Sequence, residues 1–198
     1  MTSQDPHATH PVDRAGDPLV FNVAGLMAEP MGTVREYELP PTTIELDDQT
    51  ATAEPVEGRM RLTRTNRGLV IDARVTSALA GECARCLRPV TTPVKARVDE
   101  EVLPSIDLAS GAPVQLEEGE DPEVARLTDH WELDVRPLLA AAVSLQEPIA
   151  PLCEPDCPGL CPECGIRMEP GHAHGDEPID PRLEALRAFR VDADDESG

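Results

Sequence analysis

The stretch Gly68-Leu-Val-Ile-Asp-Ala-Arg-Val-Thr-Ser-Ala-Leu79 alternates apolar and polar side chains. Leu69, Ile71, Ala73, Val75 and Leu79 fall on one side, Asp72, Arg74 and Thr76 on the other. A period of two with β-branched residues marks a half-buried strand of an antiparallel sheet. The same pattern recurs on both flanks. Met60 and Leu62 alternate with Arg59 and Arg61, and Val90, Val94, Ala96, Val98 and Val102 alternate with Lys95, Arg97 and Asp99. Thr65-Asn-Arg-Gly68 supplies a turn between the first two runs. If the three are neighbours, Arg59, Arg61, Arg74, Lys95 and Arg97 share one solvated face. The sheet is then apolar inside and basic outside.

Working outward, residues 34–39 and 42–46 read as two strands separated by Pro40-Pro41, after a short apolar run at 19–23. Residues 104–125 are rich in Pro, Gly and acids and read as a mobile acidic loop. Asp134 is positioned to cap a helix over 134–145, with Leu138, Leu139, Ala142 and Val143 spaced to cover the sheet. Asp180 followed by Pro181 predicts a short terminal helix. The expected class is α+β: a mainly antiparallel sheet or partly closed barrel, one packed helix and a C-terminal cysteine-rich segment. The expected organisation is a disordered tail at 1–17, a β-rich domain at 18–150, a cysteine/histidine segment at 151–175, and a short helix with acidic tail at 176–198. No internal repeat is visible.

Composition bounds the function. The chain of 198 residues carries a net charge of −21 and only four aromatic residues, Phe21, Tyr37, Trp131 and Phe189, so its core is aliphatic. Its sixteen arginines against the single Lys95, with abundant Ala and Pro, are the bias of a GC-rich bacterial genome. The N-terminus has neither a basic nor an apolar signal region, and no apolar run is long enough to span a bilayer, so a cytoplasmic location is expected. The net charge opposes nucleic acid. Its distribution does not, because residues 59–97 carry nine basic groups against two acidic ones. Those cations either meet phosphates or a partner, or pair internally with the acidic flanks.

Six cysteines complete the pattern: Cys83-Ala-Arg-Cys86, and Cys153-x3-Cys157-x3-Cys161-x2-Cys164, followed by His172-x-His174. Disulfides are uncommon in the cytosol. A redox pair wants Cys-x-x-Cys at a helix N-terminus, whereas Cys83 and Cys86 lie between strands. Two Cys-x2-Cys turns with further Cys and His nearby point to metal, and thiolate-rich ligands favour zinc, one ion or two. One ion could take the four clustered cysteines, or Cys83, Cys86, Cys161 and Cys164 could form a two-knuckle ribbon. The third division uses every ligand and is preferred: Cys83, Cys86, Cys153 and Cys157 in one site, Cys161, Cys164, His172 and His174 in the other. His7, His10 and His130 have no partner pattern.

Cys83-Ala-Arg-Cys86-Leu, Trp131-Glu-Leu-Asp134, Pro148-Ile-Ala-Pro-Leu-Cys153 and Pro158-Gly-Leu-Cys-Pro-Glu-Cys-Gly165 together resemble the YceD family, the large ribosomal RNA subunit accumulation proteins. The likeness runs from about Leu19 to Leu186. Long-tailed members carry Cys-x-Cys where this chain has His172-Ala-His174, and short-tailed members keep counterparts of Cys83, Cys86 and Cys157 alone, in accord with the preferred division. The resemblance implies a non-enzymatic role in synthesis, processing or stability of large-subunit ribosomal RNA, with that RNA, ribosomal proteins or assembly factors as partners. The alternative is a zinc-module adaptor that affects RNA indirectly. A metalloenzyme is disfavoured, since ligands are in surplus and no general base accompanies them. No aromatic residue lies between 59 and 97, so any RNA contact there is to phosphate or shape rather than by base stacking.

Overall fold

The computed structural model describes residues 16–46, 51–116, 119, 121–174 and 182. The expected N-terminal tail and terminal helix lie almost wholly outside these residues. Seven strands and two helices follow in the order β1 (Val20–Asn22), α1 (Ala24–Met27), β2 (Val34–Thr42), β3 (Glu54–Arg64), β4 (Leu69–Glu82), β5 (Pro89–Leu103), β6 (Ala125–Arg126), β7 (Glu132–Asp134) and α2 (Arg136–Ser144). Five strands form one sheet in the order β2-β3-β4-β5-β6. All its pairs are antiparallel except β5 with the two-residue β6, which is parallel. The sheet is open, so the barrel alternative is not realised. β1 and β7 pair separately, Phe21 opposite Leu133.

Alternation decides which face is covered. Leu69, Ile71, Ala73 and Val75 of β4, Met60 and Leu62 of β3, and Val94, Ala96 and Val98 of β5 are all buried. They join one aliphatic core with Phe21, Leu26, Leu133, Leu139 and Val143 from the layer of β1, α1, β7 and α2. Phe21 meets Tyr37 edge to face, ring centroids 5.3 Å apart. This buried face is the main stabilising term, as expected of a half-covered antiparallel sheet.

Three local expectations are corrected. Pro40-Pro41 does not break the chain into two strands: β2 runs through both, with a register irregularity between Leu39 and Thr42. β2 is an edge strand, where the missing N–H groups of proline can face outward. The strand expected at 42–46 reduces to the bridge Glu45↔Ala51. Asp134 belongs to β7, opposite Val20, and Val135 takes the N-cap position. Asp134 still serves the helix start, since its Oδ1 accepts from the Arg136 N–H at 2.9 Å. The described part of the acidic loop is held by the bridge Ile106↔Pro113 and by Arg126, whose guanidinium donates to the carbonyls of Pro104 and Val114.

β3 and β4 approach closely at Gly58, where a Cβ would sit 2.1 Å from the Arg74 carbonyl oxygen. Gly58→Val should therefore lower stability by about 3 kcal/mol, by overpacking a site with no room to relax. A denaturant melt should show the midpoint fall with an unchanged slope.

Candidate metal centres and a charged sheet face

β4 and β5 pair without a break from Leu69↔Val102 to Glu82↔Pro89, and residues 83–88 close this hairpin. Cys83 and Cys86 therefore sit at its tip. The Leu87 N–H donates to the Cys83 carbonyl at 2.9 Å, and the Cys83 N–H to the Arg88 carbonyl at 2.8 Å. The second Cys-x2-Cys turn repeats this geometry. The Gly165 N–H donates to the Cys161 carbonyl at 2.9 Å and the Cys161 N–H to the Ile166 carbonyl at 2.7 Å. Leu87 and Gly165 occupy the same position in the two turns and share positive φ, 57° and 71°. Glycine adopts this without cost, whereas leucine is strained there. The two Cys-x2-Cys motifs thus share one turn geometry, although leucine stands in one where glycine stands in the other.

The structure gathers the eight predicted ligands into two groups. Cys83, Cys86, Cys153 and Cys157 form one, Cys161, Cys164, His172 and His174 the other, with the ligand atoms of each within 4.8 Å of one another. In the first, Sγ of Cys83 and Cys157 are 3.8 Å apart, and those of Cys86 and Cys153 are 3.7 Å apart. A tetrahedron of sulfurs at about 2.3 Å from a metal has edges of about 3.8 Å, so these residues fit a tetrahedral thiophilic ion. In the second, Cys164 Sγ lies 3.5 Å from His172 Nε2, Cys161 Sγ 3.0 Å from His174 Nε2, and the two Nε2 atoms 2.8 Å apart. Donor types and convergence fit the same kind of ion, in a tighter cage. Burial separates the two. Cys83, Cys86 and Cys157 are buried and Cys153 half-buried, whereas Cys164, His172 and His174 are exposed.

The leading thiol of each turn is set up in the same way. Burial opposes ionisation of Cys83, but N–H groups of Cys153, Cys86 and Arg85 outweigh it and lower its pKa to about 6. Cys161 reaches about 6 through the N–H of Cys164, against its burial, with help from Glu163 and His172. Both turns thus hold a thiolate at neutral pH. Burial, then the neighbouring thiols, pushes Cys153 up to about 12, and burial also raises Cys157. Glu163, which sequence reasoning overlooked, lies inside the second turn with its carboxylate 3.3 Å from His174 Nδ1. Such a carboxylate fixes the tautomer that leaves Nε2 free for a metal and raises its basicity. Its position between Cys161 and Cys164, followed eleven residues later by the ligand His174, was the available signal.

The five predicted surface cations do share one exposed face. Arg59, Arg74 and Arg97 stand directly opposite one another on β3, β4 and β5, and Lys95 lies opposite Thr76 in the next row. The face is mixed, however, rather than basic throughout. Glu38 and Glu36 lie opposite Arg59 and Arg61. Arg97 bonds Asp72 at 2.5 Å and Asp99 at 3.0 Å. Of the other basic groups, Arg64 is held by the carbonyls of Met27 and Gly68, and Arg85 by that of Cys157. Four of the cations, Arg59, Arg74, Lys95 and Arg97, line an open groove of about 780 Å³ together with Glu38 and Glu57.

The fold and paired thiol turns define a β-sheet protein with two centres able to hold metal ions. The chain belongs to the YceD family, described as large ribosomal RNA subunit accumulation protein YceD, whose match covers residues 71–190. That stretch contains all eight ligands and Arg74, Lys95 and Arg97, but not Arg59 or Arg61. Uncharacterized proteins of Mycobacterium tuberculosis and Mycobacterium bovis are 39% identical over 129 residues, 64% of this chain and 58% of theirs. An uncharacterized protein of Mycobacterium leprae is 28% identical over 169 residues, 83% of this chain and 74% of its own. No solved structure matches the chain. Among the described residues, no helix is long and apolar enough to cross a membrane.

Two outcomes follow from this geometry. Glu163→Gln should weaken metal at the second centre about tenfold and leave the first unchanged, read by competition with a chromophoric chelator. Cys153 and Cys157, with raised pKa values, are protonated at neutral pH, and a metal binds only their ionised forms. Affinity at the first centre should therefore rise with pH between 7 and 8. Calorimetry in buffers of different ionisation enthalpy should find at least about two protons released per ion there.

Proposed function

We propose that the protein is a non-enzymatic, zinc-stabilised cytoplasmic factor that supports synthesis, processing or stability of large-subunit ribosomal RNA. Family membership supplies the RNA. The thiolate-rich tetrahedral donor sets favour zinc over harder cations. Four protein ligands in each group fill a tetrahedron, the pattern of structural rather than catalytic zinc. Zinc's part is to cross-link. At the first centre it ties the β4–β5 tip to a segment 67 residues further on, between Cys86 and Cys153, and so stabilises the fold.

One observation carries the RNA-contact reading: the ladder Arg59–Arg74–Arg97 across three adjacent strands. Like charges directly opposite on neighbouring strands destabilise a sheet. Asp72 and Asp99 pair with Arg97, and Asp72 also lies 3.9 Å from Arg74, while Arg59 and Lys95 form no ion pair among the described residues. Phosphates seated in the groove would relieve the remaining repulsion. Such contacts are electrostatic and sequence-independent. The competing reading is an adaptor whose acidic surroundings contact a protein, and Glu36, Glu38 and Glu57 beside the cations favour it.

Changing Arg59, Arg74, Lys95 and Arg97 together to Glu separates the two readings. The first expects association of purified protein with large-subunit ribosomal RNA to fall at least tenfold at low salt. It also expects the wild-type affinity to decline with salt with a log–log slope of about two to four. Unchanged association, with the variant shown folded and metal-loaded, would remove the groove from the RNA-binding surface and leave the adaptor.

A further inference from the structure

The two thiol turns contact each other through a small set of bonds that no ligand needs for coordination. Residues 159–168 form a hairpin around the second turn, with the bridge Leu160↔Arg167 and a Met168 N–H bond to the Gly159 carbonyl at 3.0 Å. This hairpin lies on the first turn. The Leu160 N–H donates to the Arg85 carbonyl at 3.1 Å. The Arg167 Nε–H donates to the Cys86 carbonyl at 2.9 Å. In the other direction, Arg85 Nη1 donates to the Cys157 carbonyl at 3.0 Å. Gly159, at φ 82°, lets the chain pass so close that a Cβ would lie 3.2 Å from the Arg85 carbonyl oxygen.

The acceptors are the informative part. Cys86 and Cys157 are ligands of the first centre, and their carbonyls receive the two guanidinium bonds. An ion bound by their thiolates fixes the same two residues whose backbone oxygens anchor Arg167 and Arg85. Arg167 in turn sits between Ile166, whose carbonyl accepts the Cys161 N–H, and Met168, which closes the hairpin. Metal at one centre thus orders the platform that the other requires. The differing burial gives this link a direction: the first centre is enclosed, and the second has three exposed ligands.

We infer that Arg167 and Arg85 are positioning residues that couple the two centres, so that loading of the enclosed site raises the metal affinity of the exposed one. The second centre then acts as an exchangeable site whose occupancy locks the 159–168 hairpin against the β4–β5 tip. Coupling of this kind is reciprocal and amounts to about 5- to 150-fold between interacting sites. The inference rests on the reading that both groups hold metal and adds a dependence between them.

The test uses the full chain, Zn2+ and competing chelators of graded strength. Wild type should take up two ions, the second leaving first as chelator strength rises. Trypsin cleavage after Arg167 should accelerate as that ion leaves. Arg167→Ala and Arg85→Ala, which remove no metal ligand, should each weaken the second centre at least about fivefold. In Arg85→Ala, cleavage after Arg167 should be fast even with the first centre loaded. A structural role alone would lower the melting temperature of both variants without moving second-centre affinity. Two ions bound with unchanged second-centre affinity in both variants would overturn the coupling and leave the two-centre reading standing. A single ion per chain would overturn both. Cys164→Ser supplies an internal check that survives any folding defect at the first turn. It should release the hairpin while retaining one tightly held ion, and protection of Arg167 in that variant would count against the inference.

Discussion

The unbroken antiparallel pairing of β4 with β5 is the constraint on which the rest depends. It fixes, in one register, which side chains face the core, which cations stand opposite one another, and where the first thiol turn lies. A slip of one residue would turn Val94, Ala96 and Val98 to solvent, because side chains alternate with a period of two. It would also separate Arg74 from Arg97 and spoil the closure of Cys83 on Arg88. The buried face supplies the penalty that prevents this, so the core protects the metal centre's geometry at a distance.

The two centres solve different physical problems with one turn. The first closes a long loop, and the entropy of doing so is borne by core packing and, in the proposed reading, by an ion on the four thiolates. Its burial is a consequence: Val90 and Leu152 pack against the thiols and keep water away. The second is local, spanning Cys161 to His174, so it needs little chain entropy and gains little enclosure. Leucine rather than glycine at the αL position of the first turn is a strain that the long-range centre tolerates because strands on both sides hold the turn in place.

Much of this was legible in the sequence. Period-two alternation marked β3, β4 and β5 and separated core from surface, and the preferred pairing of ligands is the one the structure brings together. What escaped has a common cause. Sequence patterns report which face a residue occupies, not which residue lies opposite. Glu36 and Glu38 were assigned no role because β2 was not known to pair with β3, so the sheet face looked basic when it is mixed. The strand through Pro40-Pro41 was missed because only edge position makes two prolines acceptable there. The equivalence of Leu87 with Gly165 was hidden because leucine carries no signal for positive φ. Asp134, expected at the N-cap, lies one residue before it, an offset common at helix ends.

The mixed face narrows how the proposed contact would operate. At −21 the chain repels polyanions at long range, and that field is screened beyond about 8 Å at physiological ionic strength. Steering by charge, which speeds the encounter of basic proteins with nucleic acid, is therefore absent. In the proposed reading the groove would act only at contact, where Arg59, Arg74 and Lys95 would meet phosphate oxygens and Glu38 and Glu57 beside them would oppose any extension of the contact. Such a surface would discriminate against generic polyanion and favour a short, defined array of phosphates whose neighbours do not press on Glu38 and Glu57. On that reading, selectivity would be set by where the carboxylates stand, and affinity by the arginine ladder between them.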